Sequence, residues 1–309
     1  MANVLITGGA GYVGSVVTGT FLAAGHAVTV LDSLESGGQG LLACAANPRF
    51  RFLRGDVRDG RAMREALAGQ DAVVHLAAVV GFGACNADPR RAESTNVEGT
   101  RTLLAHRQRG QALLFASTGS VYGAVPEGEC HEGLDPAPLS LYGRTKLAAE
   151  RLVLDAGGVA FRFATAFGMS PRMRVDLLIN EFVYAAKRRG YVVIYDQHAR
   201  RTFIHVHDMA RAFLFGLEHW DQMAGGAFNA GSERLNLTKD EIARLLLARH
   251  PCHIFYGPVG ADEDRRDYAV SYARLCALGF ETHVTIEEGL DELLRGVDLL
   301  AHRGPYGEV

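Results

Sequence analysis

Short apolar and β-branched runs alternate along the first half of the chain with longer segments whose apolar positions recur every three or four residues. The short runs, at residues 4–7, 27–31, 51–53, 72–76, 113–116 and 159–162, read as buried strands. The helix-period segments between them fall at residues 12–24, 61–67, 89–108 and 142–155. Strands joined through helices imply a doubly wound α/β fold, a parallel sheet with helices on both faces. After about residue 164 the rhythm loosens. A turn at 171–174, a helix over 176–188 and a strand over 192–195 follow. Residues 203–220 read as a strand end and a helix that return to the large sheet, and residues 237–309 supply further helices and short strands. The expected division is a larger part, residues 1–164 with 203–228 returning to it, and a smaller α/β part, residues 165–202 and 229–309. The sequence has no internal repeat or low-complexity linker, so the second part is expected to pack closely on the first.

Between the first strand and first helix lies Thr7-Gly8-Gly9-Ala10-Gly11-Tyr12-Val13-Gly14. Glycines in this context let the backbone approach a pyrophosphate, which rests on the unpaired N–H groups and positive dipole end of the helix. Asp32 closes the second strand, where a carboxylate accepts hydrogen bonds from the adenosine ribose diol of a dinucleotide. It would repel a 2′-phosphate, and Ser33-Leu34-Glu35-Ser36 offers no basic partner for one, so NAD is favoured over NADP. The pattern is Rossmann-type. Asp56, beside Val57 after the third strand, is a candidate adenine contact or a plain loop acid.

Tyr142 and Lys146 stand four residues apart at a helix start and so share a face. A free phenol, with a pKa of about 10, is a weak base at neutral pH. A neighbouring ammonium stabilises its phenolate and makes it a usable acid and base. The strand before this helix runs into Ser117-Thr118-Gly119-Ser120, hydroxyls at the carboxyl edge where open α/β sheets bind ligands. Thr118 or Ser120 can hydrogen-bond the substrate oxygen that exchanges its proton with Tyr142; hydroxyls merely capping the turn are the structural alternative.

Composition narrows the partners. The 309 residues carry a formal net charge of −3 with no basic stripe, which argues against nucleic acid or an anionic membrane surface. The absence of an export signal or an apolar run of spanning length makes a cytoplasmic protein the expectation. The five cysteines are scattered without a CxxC pair, which suggests reduced thiols, mostly in the core, and no metal site.

Together these residues resemble the extended short-chain dehydrogenase/reductase family, in its nucleotide-sugar epimerase and dehydratase branch. The resemblance extends over nearly the whole chain, through His75-Leu76-Ala77-Ala78, Asn96-Val97-Glu98-Gly99-Thr100, Arg162 with Phe167-Gly168, Arg201-Thr202-Phe203-Ile204-His205-Val206-His207-Asp208 and Phe228-Asn229-Ala230-Gly231-Ser232. It implies catalysis by Thr118, Tyr142 and Lys146. Cofactor contacts are implied at Gly8, Gly11, Tyr12, Val13, Gly14, Asp32, Asp56, Val57, Leu76, Ala77, Ala78 and Asn96, together with Tyr142 and Lys146. The expected partner is a nucleotide-diphosphate sugar, gripped by Arg201 and a second clamp at Arg266. Asn180 matches a substrate-binding asparagine, Ser120 lies in the catalytic loop, and the loop from Val80 to Asp88 would line the sugar pocket. Thr165 stands where the family has an asparagine.

The 4,6-dehydratases of this branch carry an Asp-Glu pair directly after the catalytic threonine; here Gly119-Ser120 follows Thr118. The decarboxylases' loop glutamate is likewise replaced. The expectation is therefore a C4 epimerase acting through a transient 4-keto sugar, with an NAD(P)H-dependent 4-keto-sugar reductase as the alternative and a non-catalytic dinucleotide sensor as the rival from another class. A homodimer through the helices at 89–108 and 142–155 is expected by the same resemblance.

Overall fold

The computed structural model describes residues 1–123, 128–257 and 268–300. From the N-terminus come β1 (Asn3–Thr7), α1 (Tyr12–Ala23), β2 (Ala27–Asp32), β3 (Phe50–Arg54), α2 (Gly60–Leu67), β4 (Ala72–His75), α3 (Phe82–Ala87), α4 (Pro89–Glu93), α5 (Gly99–His106) and β5 (Ala112–Thr118). Then follow β6 (Glu129–Cys130), α6 (Leu141–Asp155), β7 (Val159–Phe163), β8 (Thr165–Phe167), α7 (Leu178–Arg189), β9 (Tyr191–Ile194), β10 (Arg200–His205), α8 (Val206–Glu218), α9 (Trp220–Met223) and β11 (Ala227–Ala230). The chain continues through β12 (Asn236–Thr238), α10 (Lys239–Leu247), β13 (His253–Tyr256), β14 (Ala269–Val270), α11 (Ala273–Cys276) and α12 (Ile286–Gly296).

Seven parallel strands form the central sheet in the order β11-β7-β5-β4-β1-β2-β3. Because successive strand residues face opposite sides, one set of apolar residues feeds two cores. Val4, Ile6, Val28, Val30, Val74 and Leu114 pack with Val17 and Phe21 of α1 and Phe213 of α8. Leu5, Leu31, Val73, Leu113 and Phe115 pack with Met63 of α2, Leu103 of α5 and Val153 of α6. The chain reverses direction across the sheet between β1 and β4, which opens a crevice at their carboxyl ends.

Three expectations from the sequence are modified. The segment 89–108 is α4, a π-helical turn at Ser94–Glu98 and α5 ending at His106, rather than one regular helix. Residues 203–205 belong to β10, which pairs with β8 and β12 in a separate three-stranded sheet. Only the helix that follows, α8, returns to the main body, where it packs along α1. The last strand of the large sheet is β11, which lies across residue 228. Smaller two-stranded sheets join β9 to β13 and β6 to β14. Among the described residues no helix is long and apolar enough to cross a membrane, and no His, Cys, Asp and Glu cluster could hold a metal ion. Cys44, Cys85 and Cys130 are buried, Cys252 is half-buried and Cys276 is exposed, all as free thiols.

Candidate active site

The glycine turn sits at the β1/β4 crevice, and its glycines are fixed by close approach. Gly8 has φ +74°, and a Cβ there would lie 2.7 Å from the Ala77 amide nitrogen. A Cβ at Gly14 would lie 2.1 Å from the Gly8 carbonyl oxygen, whereas one at Gly11 would meet only that oxygen, at 3.3 Å. Among the described residues no side chain caps α1, and its first turn holds no acid. Asp32 is oriented by two backbone donors: Ala10 N–H to Oδ2 at 2.9 Å and Leu34 N–H to Oδ1 at 2.8 Å. Each carboxylate oxygen keeps an acceptor position, which suits a ribose diol. Leu34 adopts φ +63°, costly for a branched residue and sustained here by its bond to Asp32. The turn, the bare helix start and the oriented carboxylate fit a dinucleotide.

Asp56 is less open. Arg58 grips it through Nε at 2.9 Å and Nη2 at 2.5 Å, and these hydrogen bonds hold the carboxyl below its ordinary range. Val57 is buried beneath Gly99.

At the carboxyl edge of the sheet, β5 ends in Thr118, whose Oγ1 accepts the Ser120 N–H and donates to Ser120 Oγ, both at 3.2 Å. Ser140 caps α6 by accepting the Gly143 N–H at 3.0 Å, which sets Tyr142 in the first turn and Lys146 one turn later. A Cβ on Gly143 would lie 2.8 Å from the Ser120 carbonyl, so the helix start rests directly on the hydroxyl loop. Lys146 is buried with Nζ 4.0 Å from the centre of the Phe115 ring. Burial draws its pKa down to about 7, against the opposing pull of Glu150 and the Cys85 thiol.

Behind Lys146 stands a buried chain that the sequence did not announce. Arg162 Nη2 donates to Glu150 Oε1 at 2.7 Å, Ser117 donates to Glu150 Oε2, and Arg162 Nη1 donates to the Tyr122 hydroxyl at 3.1 Å. Tyr122 in turn donates to Asn229 Oδ1 at 2.7 Å. Burial disfavours the Arg162 charge, but the hydrogen bonds and charge of Glu150 prevail and keep it protonated. Glu150 follows Lys146 by one helical turn and Arg162 is a motif residue. That spacing was the available signal.

His75 serves structure. Its pKa falls to about 3 through burial and the nearby Lys146 charge. Thr100 donates to the Asn96 carbonyl at 2.7 Å, so it receives the His75 Nε2–H at 3.1 Å, leaving Nδ1 to accept from Thr7 at 2.7 Å. Asn96, within the π turn, accepts the Val79 N–H at 2.7 Å and donates to the Val79 carbonyl and to Thr145 Oγ1, both at 3.0 Å. It thereby clamps the segment carrying Leu76, Ala77 and Ala78 to the helix that carries Lys146.

In the second part, Arg201 on β10 is buried, and register places Thr165 opposite Phe203, two residues further on. Val80 is exposed. Asn180 is buried, and its amide is engaged with Gly168, Tyr12 and Arg174. Arg266 lies outside the described residues. Arg174, unassigned from sequence, comes close to the loop from Val80 to Asp88, its Nη2 3.9 Å from where a Gly81 Cβ would stand. Burial opposes its charge, but Asp176, Tyr142 and Tyr12 together hold its pKa above the usual arginine value.

Residues 4–231 match the NAD dependent epimerase/dehydratase family model. The chain is 33% identical over 308 residues to the dTDP-glucose 4,6-dehydratase of Streptomyces griseus, covering 93% of this chain and 92% of that protein. It is 32% identical over 236 residues to the UDP-glucose 4-epimerase of Streptomyces lividans, covering 69% and 70%. The crystal structure of UDP-glucose 4-epimerase from Brucella ovis in complex with NAD superposes with a TM-score of 0.83 at 27% identity, covering 96% of this chain and 98% of that one. With its seven-stranded parallel sheet and glycine turn, the chain belongs to the NAD-dependent epimerase/dehydratase family.

Proposed function

We propose that the chain is a nucleotide-sugar epimerase that inverts a ring hydroxyl, C4 by family default, and recycles NAD without net redox. One observation carries the choice within the family: the loop after Thr118 is Gly119-Ser120, with no carboxylate to protonate a departing hydroxyl. Ser120 is hydrogen-bonded to Thr118, and the Gly119 carbonyl accepts the Tyr268 hydroxyl at 2.8 Å. The loop is thus built for hydrogen bonding and lacks a strong acid.

In this reading Gly8, Gly11 and the N–H groups of Tyr12, Val13 and Gly14 cradle the pyrophosphate, and Asp32 takes the adenosine ribose. NAD held there would supply the hydride chemistry at the sugar carbon, with no net redox. Tyr142 removes the hydroxyl proton and later gives it back, while Thr118 holds the same oxygen. Lys146, poised near neutrality, stabilises the phenolate. Arg201 takes the diphosphate, and Thr165 and Val80 border the sugar. Asn96 and Asn180 act by holding backbone.

The test is a panel of UDP-, dTDP-, GDP- and ADP-sugars incubated with the purified protein and no added reductant, with products read by NMR. Interconversion of two epimers is expected. Loss of water from the sugar would establish a dehydratase, and a strict requirement for NADH would establish a reductase.

A further inference from the structure

The first turn of α1 is tied to the second part of the molecule by side chains as well as by the chain itself. Tyr12 is buried, and its hydroxyl donates to the Gly168 carbonyl at 2.7 Å. Asn180 accepts the Gly168 N–H at 3.0 Å and donates from Nδ2 to the Tyr12 hydroxyl at 3.2 Å and to the Arg174 carbonyl at 2.8 Å. Gly168 is therefore held on both its amide and its carbonyl. Its other side is closed as well. Gly168 has φ +108°, and a Cβ there would fall 2.2 Å from His205 Nε2, the nitrogen bonded to Glu292 of α12 at 2.5 Å. Ser170 completes the seam, donating to the Tyr12 carbonyl at 2.6 Å. Arg174, whose carbonyl accepts from Asn180 and whose guanidinium pairs with Asp176, lies close to Gly81 and within electrostatic reach of Tyr142.

We propose that Tyr12 is a positioning residue whose hydroxyl, acting through Gly168 and Asn180, fixes Arg174 and the start of the second part relative to Tyr142, and so sets how the sugar is presented. This rests on the epimerase reading for its kinetic consequence and on the hydrogen bonds alone for its structural one. The cradle uses only the backbone N–H of Tyr12, so the side-chain role is separable from cofactor binding. A buried hydroxyl with two partners contributes mainly by keeping both in register.

Tyr12→Phe keeps the ring and removes the pin. The account predicts backbone hydrogen exchange about tenfold faster across residues 168–180, with exchange in the 8–14 turn and NAD content after denaturation both unchanged. The KM for the sugar nucleotide found in the panel should rise about tenfold, with kcat changed by less than about threefold. In an Asn180→Leu background the same substitution should add little, since the two act as one unit. Unchanged exchange at 168–180 overturns the proposal, as does a loss of NAD with KM unaltered. If no panel sugar turns over, the epimerase reading fails, and the exchange measurement still decides the role of Tyr12.

Discussion

Two clusters of charge flank the carboxyl edge of the large sheet. At the Lys146 end, the side chains of Glu150 and Arg162 are 1% and 6% exposed and share their contacts with Ser117 and Tyr122. At the Asp32 end, Glu35 pairs with Arg91 and Asp56 with Arg58, and these four side chains are 37% to 57% exposed. The chemical pairing is the same and its consequences differ. A buried pair gains little over an apolar replacement, yet loss of one partner leaves an uncompensated charge. An exposed pair competes with water and salt and can exchange freely. The first cluster stands one helical turn behind Lys146, whose pKa burial draws down to about 7 against the opposing pull of Glu150, whereas the second stays open to solvent.

The comparison can be broken in several places. The largest effect is expected from Tyr142→Phe, which should lower kcat by about 10²–10⁴ while NAD content is unchanged; loss of NAD instead would move Tyr142 out of the acid/base role. Next is Glu150→Ala, which strands Arg162 and should cost about 3–5 kcal/mol in urea unfolding.

The third prediction concerns pH. The folded state binds the Lys146 proton less tightly than the unfolded chain, with a pKa drawn from 10.5 to about 7. Between those values the unfolded state holds more protons, so the fold gains stability as pH rises, by up to about 1.4 kcal/mol per unit. Lys146→Met should remove that slope, as unfolding measured at pH 7, 8 and 9 would reveal. The smallest effect belongs to Arg91→Ala, expected to change stability by less than about 1 kcal/mol and by still less in high salt. A cost comparable to that of Glu150→Ala would erase the distinction between the two clusters.

Much of this was legible in the sequence because it is local. The strands at 4–7 and 27–31 reappear as β1 and β2 with one residue added at one end, since an apolar run flanked by turn residues leaves little choice. The glycine turn, Asp32, Thr118 and the Tyr142–Lys146 spacing each depend on a few neighbouring residues. Where partners come from distant segments, the sequence was silent. Nothing near Asn180 signals that its amide would face Tyr12 across 168 positions, or that Asn96 would clamp Val79 to Thr145. The regular helix expected over 89–108 gives way to a π turn at Ser94–Glu98, which presents Asn96 to those two partners. Residues 203–205 carry a strand pattern fit for either sheet, and only pairing with Thr165–Phe167 decides between them.

The central claim, that the Thr118, Tyr142 and Lys146 edge exchanges one hydroxyl's configuration and no more, is tested most directly by running the reaction in deuterium oxide with the sugar nucleotide identified in the panel and no added reductant. The account predicts two C4 epimers whose carbons carry no solvent deuterium, because the hydrogen at the reacting carbon leaves and returns without entering water. Deuterium on a ring carbon together with loss of a hydroxyl would contradict it and mark the chain as a dehydratase.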